Sequence, residues 1–161
     1  MIAGDAAEFA AALPPLGALM GLDPGTKTIG VAVSDTMRSV ATPLRTVKRT
    51  KFTADAAELA AIAGDRRIAG IVLGLPRNMD GTEGPRAQSA RAFARNLERH
   101  ATLGPLPILF WDERLSTVAA ERALLEADTS RKRREEVIDH VAAAYILQGA
   151  LDRLGVIGGR T

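Results

Sequence analysis

The sequence predicts an α/β domain built on a mixed β-sheet covered by helices, and three observations predict it. Two apolar, strand-sized segments, Ala18–Leu22 and Ile29–Ser34, are joined only by a short turn around Asp23-Pro24-Gly25-Thr26. Connections that short join antiparallel neighbours. Beyond residue 50 the hydrophobic period becomes helical and then alternates between strand and helix, the pattern of parallel crossover units. Within it, Ile68–Leu75 is a nearly continuous apolar run, as expected of a strand buried on both faces.

The elements follow in order. Residues 1–17 are alanine-rich, end in Leu13-Pro14-Pro15-Leu16-Gly17, and read as a loosely held, flexible arm. A third strand is expected near Leu44–Lys48. Thr53–Ala63 reads as a helix, with Thr53 as its N-cap and Gly64 as its stop. After the loop Pro76–Pro85 comes a helix from Arg86 to about His100, with Ala90, Phe93 and Leu97 on one face and Arg91, Arg95 and Arg99 on another. Pro107–Trp111 is the next strand. Thr117–Ala127 and Arg131–Leu154 are the last helices, separated by Asp128-Thr129-Ser130. The first hairpin is expected mid-sheet, because the later crossover strands must extend it in parallel. The domain then spans 18–154, with 155–161 as a tail.

Composition sets limits. The 161 residues fit one domain with a proper core, and 47% hydrophobic with 25% charged is ordinary for a globular protein. No apolar run is long enough for a bilayer, and Asp5 and Glu8 stand where a secretory signal would be basic, so a cytoplasmic protein with no membrane role is expected. Without cysteine there is no disulfide and no thiolate zinc site. The net charge of +2 does not by itself announce a nucleic-acid binder. Basic residues do cluster, at Arg45, Lys48, Arg49 and Lys51 and again at Arg131–Arg134, in patterns that suit either a solvated surface or phosphate contacts.

Three acids stand where acid is not expected. Asp23 directly follows an apolar strand, and Glu113 follows the strand ending at Trp111 and Asp112. Asp139 lies inside the apolar stretch Val137–Leu147 of the last helix, on one face with Ala142, Ala143, Ile146 and Ala150. A charge on an apolar helical surface costs free energy unless it is paired or bound to metal, and small alanines let that face approach a sheet closely. If parallel strands end on one edge, Asp23 and Glu113 meet there and the helix brings Asp139 across them. Carboxylates converging without His or Cys suit a hard cation, Mg²⁺ or Mn²⁺. Two such ions about 4 Å apart activate water and stabilise the leaving oxygen of a phosphodiester. Each acid also has an ordinary explanation: turn chemistry for Asp23, a loop or helix start for Glu113, ion pairing for Asp139.

The same residues resemble a known family. Gly21-Leu22-Asp23-Pro24-Gly25-Thr26-Lys27-Thr28-Ile29-Gly30-Val31-Ala32 is similar to the first-strand motif of the YqgF/RuvX family. Gly74-Leu75-Pro76-Arg77-Asn78-Met79-Asp80-Gly81-Thr82 resembles its middle-loop motif. Asp112-Glu113-Arg114-Leu115-Ser116-Thr117 resembles its second acidic motif, and Ile138-Asp139-His140-Val141-Ala142-Ala143 its C-terminal acidic helix. The motifs occur in family order over about residues 18–152, and together are far more specific than any one alone. The resemblance implies a ribonuclease-H-like sheet of order 3-2-1-4-5 with strand 2 antiparallel, catalytic acids at Asp23, Glu113 and Asp139, and a divalent metal. Members are described as pre-16S rRNA nucleases or as Holliday junction resolvases, so the implied substrate is structured RNA or branched DNA.

Around the acids, Thr26 and Lys27 lie in a turn suited to a backbone phosphate, and Gly25 is expected to supply a positive φ or a close approach. Arg114 is expected to bind phosphate or to orient Glu113. Asn78 and Asp80 are candidates for substrate contact or for turn chemistry. Trp111 reads as a packing residue rather than a base stacker, and Ser116 or Thr117 as a helix cap. An rRNA-processing nuclease ranks first among the functions. Next comes a junction resolvase, which needs a homodimer where the nuclease works as a monomer or a dimer. A non-catalytic RNA-binding assembly factor and a sugar-kinase-like ATPase module built on Asp23–Thr26 follow.

Overall fold

A computed structural model describes residues 1–115 and 131–159, with the backbone alone for 131–139. Its elements are α1 (Ala6–Ala12), β1 (Ala18–Pro24), β2 (Thr28–Ser34), β3 (Ala41–Lys48), α2 (Phe52–Asp65), β4 (Ile68–Leu75), α3 (Pro85–Glu98), β5 (Ile108–Asp112), a 3₁₀ turn (Glu113–Leu115) and the long α4 (Arg131–Ile157). The expected helix at Thr117–Ala127, the linker Asp128–Ser130 and the cap at Ser116 or Thr117 lie outside the described residues.

The sheet runs β3-β2-β1-β4-β5. β2 is antiparallel to both β1 and β3, whereas β1, β4 and β5 run parallel. This is the order and polarity the motifs imply, and it puts the C-terminal ends of three strands on one rim. Strand alternation sorts the side chains into two cores. One face carries Met20, Leu22, Ile71 and Leu73 against Leu59 of α2 and Phe93 and Leu97 of α3. The other carries Leu19, Ala32, Val72 and Leu109 against Ala143, Ile146, Leu147 and Ala150 of α4.

Close approach of α4 depends on missing side chains. A Cβ on Gly21 would lie 2.7 Å from Leu147 Cβ and 2.9 Å from the Ala143 carbonyl oxygen. One on Gly74 would lie 2.6 Å from Ile146 Cδ1. The helix therefore rests directly on the backbone of β1 and β4.

Four local expectations are corrected. Residues 1–17 are not loosely held: Phe9 of α1 is fully buried, Ala3 N–H donates to the Ile108 carbonyl (2.8 Å), and Ile108 N–H donates to Met1 O (2.9 Å). Apolar burial of Phe9, packed over Gly70, holds a segment whose alanines and prolines carry little periodic signal. Thr53 is not the cap of α2, which starts at Phe52 with Lys51 at its N-cap position and no side-chain cap. Instead the buried Asp55 carboxylate accepts from Thr50 N–H and Thr50 Oγ1, both at 3.0 Å. Gly64 does not stop the helix, which runs through it to Asp65. The last helix likewise continues to Ile157, so the expected tail begins later.

Candidate active site at the strand rim

Asp23 is the sixth residue of β1 rather than the first of a turn, and it is 3% exposed. It shares the α4 face with Leu19 and Gly21, four and two positions before it. Its register partner on β2 is Gly30, whose partner on β3 is Thr46. Thr46 Oγ1 lies 3.0 Å from His140 Nδ1. The turn of α4 that carries residues 139 and 140 therefore crosses the sheet at the level of Asp23. Residue 139 is one turn before Ala143, which sits over Gly21. The side chain of Asp139 lies outside the described residues.

Glu113 begins the 3₁₀ turn after β5. Its Oε1 lies 3.0 Å from the point a Gly74 Cβ would occupy. Gly74 is one residue past the last β1–β4 pair, Leu22 with Leu73, and so stands beside Asp23 on the neighbouring strand. Adjacent strands are spaced about 4.8 Å apart. The structure thus brings Asp23 and Glu113 to one rim and one face. Gly74 is the cradle, because a Cβ there would crowd the Glu113 carboxylate.

Asp112, one residue earlier, has a different environment. It accepts from Arg114 Nη2 at 2.7 Å, from Arg114 Nε at 3.1 Å and from the Arg114 backbone N–H at 3.0 Å. Arg77 Nη1 stands 3.9 Å away. The Arg114 guanidinium hydrogen-bonded to Asp112 holds this carboxyl below the usual carboxylate range. Arg114 therefore pairs with Asp112, not with Glu113. Arg77 also approaches Glu83 (3.5 Å), which accepts a two-pronged pair from Arg91 at 2.6 and 2.7 Å. That pair lowers the Glu83 carboxyl as well. Arg77, to which sequence reasoning gave no role of its own, links the two pairs; its signals were its place just past a buried strand and within the middle-loop motif.

The other expected residues are placed as follows. Thr26 and Lys27 are exposed in the β1–β2 turn. Gly25 supplies close approach rather than positive φ: its N–H donates to the Thr28 carbonyl (2.8 Å), and a Cβ would sit 3.1 Å from that oxygen. The Arg49 guanidinium donates to the Gly25 carbonyl. Asn78 and Asp80 build their own loop. Asn78 Nδ2 donates to Thr82 Oγ1 (2.9 Å), and Asp80 Oδ1 accepts from Thr82 N–H (3.0 Å) and Oγ1 (2.6 Å). Gly81, at φ 89°, takes the left-handed conformation that this turn requires. Trp111 has its indole edge within 3.0 Å of a Gly149 Cβ position.

The donor set fits a hard divalent cation. Asp23 is a buried acid at a strand end, and Glu113 is cradled beside it on the same face. Among the described residues no cluster of three acidic or His side chains forms, and the side chain of Asp139 is not among them.

Sheet order, polarity and an acid pair under a terminal helix define a ribonuclease-H-like domain. RuvC of T. thermophilus, solved in complex with a Holliday junction substrate, matches the fold with a TM-score of 0.53 at 14% identity, over 86% of this chain and 96% of that one. The family model described as RuvX, Holliday junction resolvase, matches residues 17–153, and the chain belongs to that family. It is 75% identical over 158 residues to a Roseobacter denitrificans protein named "Putative pre-16S rRNA nuclease", covering 98% of this chain and 96% of the relative. A Paracoccus denitrificans protein of the same name is 72% identical, covering 98% of each. Because the first of these matches spans 98% of the chain, it takes in the N-terminal segment that the family model leaves out.

Proposed function

We propose that this chain is a divalent-metal-dependent nuclease that hydrolyses phosphodiester bonds at the 5′ end of a 16S rRNA precursor in the cytoplasm. The observation that carries this reading is the buried Asp23 beside a Glu113 cradled by Gly74, on the face crossed by α4. Close relatives named for pre-16S rRNA support the substrate.

Asp23, Glu113 and Asp139 are the residues that would hold Mg²⁺ or Mn²⁺, in one or two ions. Bound there, the metal supplies Lewis-acid activation of water and neutralises charge on the phosphate. Asp23, at a strand end, and Glu113, fixed over backbone, orient their carboxylates in advance of substrate. Thr26 and Lys27 contact the RNA backbone from the exposed turn that Gly25 shapes. Asn78 and Asp80 act by stiffening the 76–84 loop. Arg114 acts by occupying Asp112, which leaves Glu113 as the acid for the site.

Purified protein should cut a precursor 5′ fragment with Mg²⁺ or Mn²⁺ and not in EDTA. Asp23→Asn should lower the rate by at least about 10³-fold with its circular dichroism unchanged. An Asn variant that cuts like the parent would refute the assignment. Stronger cutting of a matched four-way DNA junction, by a dimer, would move the substrate to branched DNA.

A further inference from the structure

Beyond the acids, the same rim opens into a cleft. It lies along the outer side of β5, where the N-terminal segment pairs with Ile108 and then turns away into α1. Its volume is about 510 Å³, within the usual range for small-molecule sites. Phe110 and Trp111 form apolar wall, while Arg77, Arg91 and Arg153 bring guanidinium groups from three separate elements. Asp5 and Asp112 also line it, but both are engaged. Asp112 is paired with Arg114, and Asp5 accepts from Glu8 N–H (2.8 Å) at the start of α1.

The arginines are not equivalent. Arg91 is committed to Glu83 and lies over the Phe110 ring at 4.9 Å. Arg77 has only two long ion pairs, at 3.5 and 3.9 Å, and its buried Nε has no hydrogen-bond partner among the described residues. Arg153 is exposed on α4 and enters no ion pair among the described residues. Guanidinium groups with unused donors, set beside aromatic and aliphatic wall, suit a phosphate attached to a planar base. The inner wall contains Asp112, the residue before Glu113. The cleft therefore adjoins the acids through consecutive residues of one segment.

We infer that the cleft between β5, α4 and the N-terminal segment is a subsite for one single-stranded nucleotide of the RNA, flanking the scissile bond. The phosphate lies on Arg77 and Arg153, and the base lies against Trp111, the Phe110 ring being covered by Arg91. This rests on the nuclease reading above. It also gives the N-terminal segment a task, since Ile2–Ala6 form the outer wall.

Trp111 is the chain's sole tryptophan and lines the cleft, so its fluorescence reports occupancy. The full chain, in EDTA, is titrated with a fluorescein-labelled single-stranded pentaribonucleotide, whose integrity is checked on a gel. Anisotropy and Trp111 quenching should give the same Kd. Arg153→Ala and Arg77→Ala should each weaken it by about ten-fold, while circular dichroism stays parental. AMP should bind at least about a hundred-fold more weakly than the oligomer. Anisotropy binding without Trp111 quenching, or an unchanged Kd in Arg153→Ala, overturns the subsite. Equal affinity for AMP overturns its assignment to the RNA strand. Because binding is read without metal, loss of the nuclease reading shows as absent cleavage with Mg²⁺ while this titration still stands.

Discussion

The two faces of the sheet are built to different rules. On the α2/α3 face, Leu22, Ile71 and Leu73 interlock with Leu59, Phe93 and Leu97, large side chain against large side chain. On the α4 face, Gly21 and Gly74 let a helix backbone and a carboxylate settle on the strands themselves. One face stores stability, and the other sacrifices side-chain packing for proximity. The pair Asp112 and Glu113 shows the same division over a single peptide. Asp112 is neutralised by Arg114, whereas Glu113 lies on the α4 face over Gly74.

If that division is right, substitutions should sort by face. Leu73→Ala on the α2/α3 face should cost about 3 kcal/mol in urea unfolding. Its kcat at 20 °C should remain parental, and a large fall in kcat would show that the two faces are not separate. Gly21→Ala should cost about 2 kcal/mol, because the new methyl meets the Ala143 carbonyl, which is backbone and cannot rotate away. It should also lower activity, since α4 must lift; unchanged stability would mean the helix is not seated on β1.

Gly74→Ala sharpens the contrast further. Its methyl meets Ile146 Cδ1, the movable end of a side chain, and displaces the Glu113 carboxylate. Stability should fall by about 1 kcal/mol or less, while kcat drops about ten-fold, equivalent to ~1.4 kcal/mol. Parental kinetics would detach Glu113 from catalysis. The smallest effect belongs to Asp112→Asn, at about 1 kcal/mol in neutral buffer. Arg114 lowers the folded-state pKa of Asp112, so its stabilisation is present above the unfolded carboxylate value of about 3.9. It is lost as pH falls through the lower folded value. The Asn variant should therefore converge with the parent in stability at the acid end, once pH has fallen through that lowered value, and a constant gap at all pH values would sink this account.

Much of this was legible in local pattern. The continuous apolar run at Ile68–Leu75 and the short turn after Leu22 gave strands in the right places. The 3.6-residue spacing of Ala90, Phe93 and Leu97 gave the buried face of α3, and all three are buried. The boundaries of α2 were not legible. Asp55 holds the entry by reaching back to Thr50, a contact that resembles no N-cap box. Asn78 and Asp80 looked like candidates for substrate contact because a polar loop beyond a central strand reads the same whether its hydrogen bonds go outward or to Thr82.

By itself the sequence determined the element types of the described residues beyond the N-terminal segment, the parallel and antiparallel pairings and the family. These rest on periodicity and motif spacing, which act over a few residues to a few tens. Tertiary structure alone decided that the N-terminal segment packs on the domain with Ile2–Ala6 as the wall of a cleft, that Arg114 serves Asp112, and that Gly74 makes room for Glu113. Those outcomes depend on which distant segments come to share a few ångströms of space, and side-chain volume and charge settle that only once the sheet has closed.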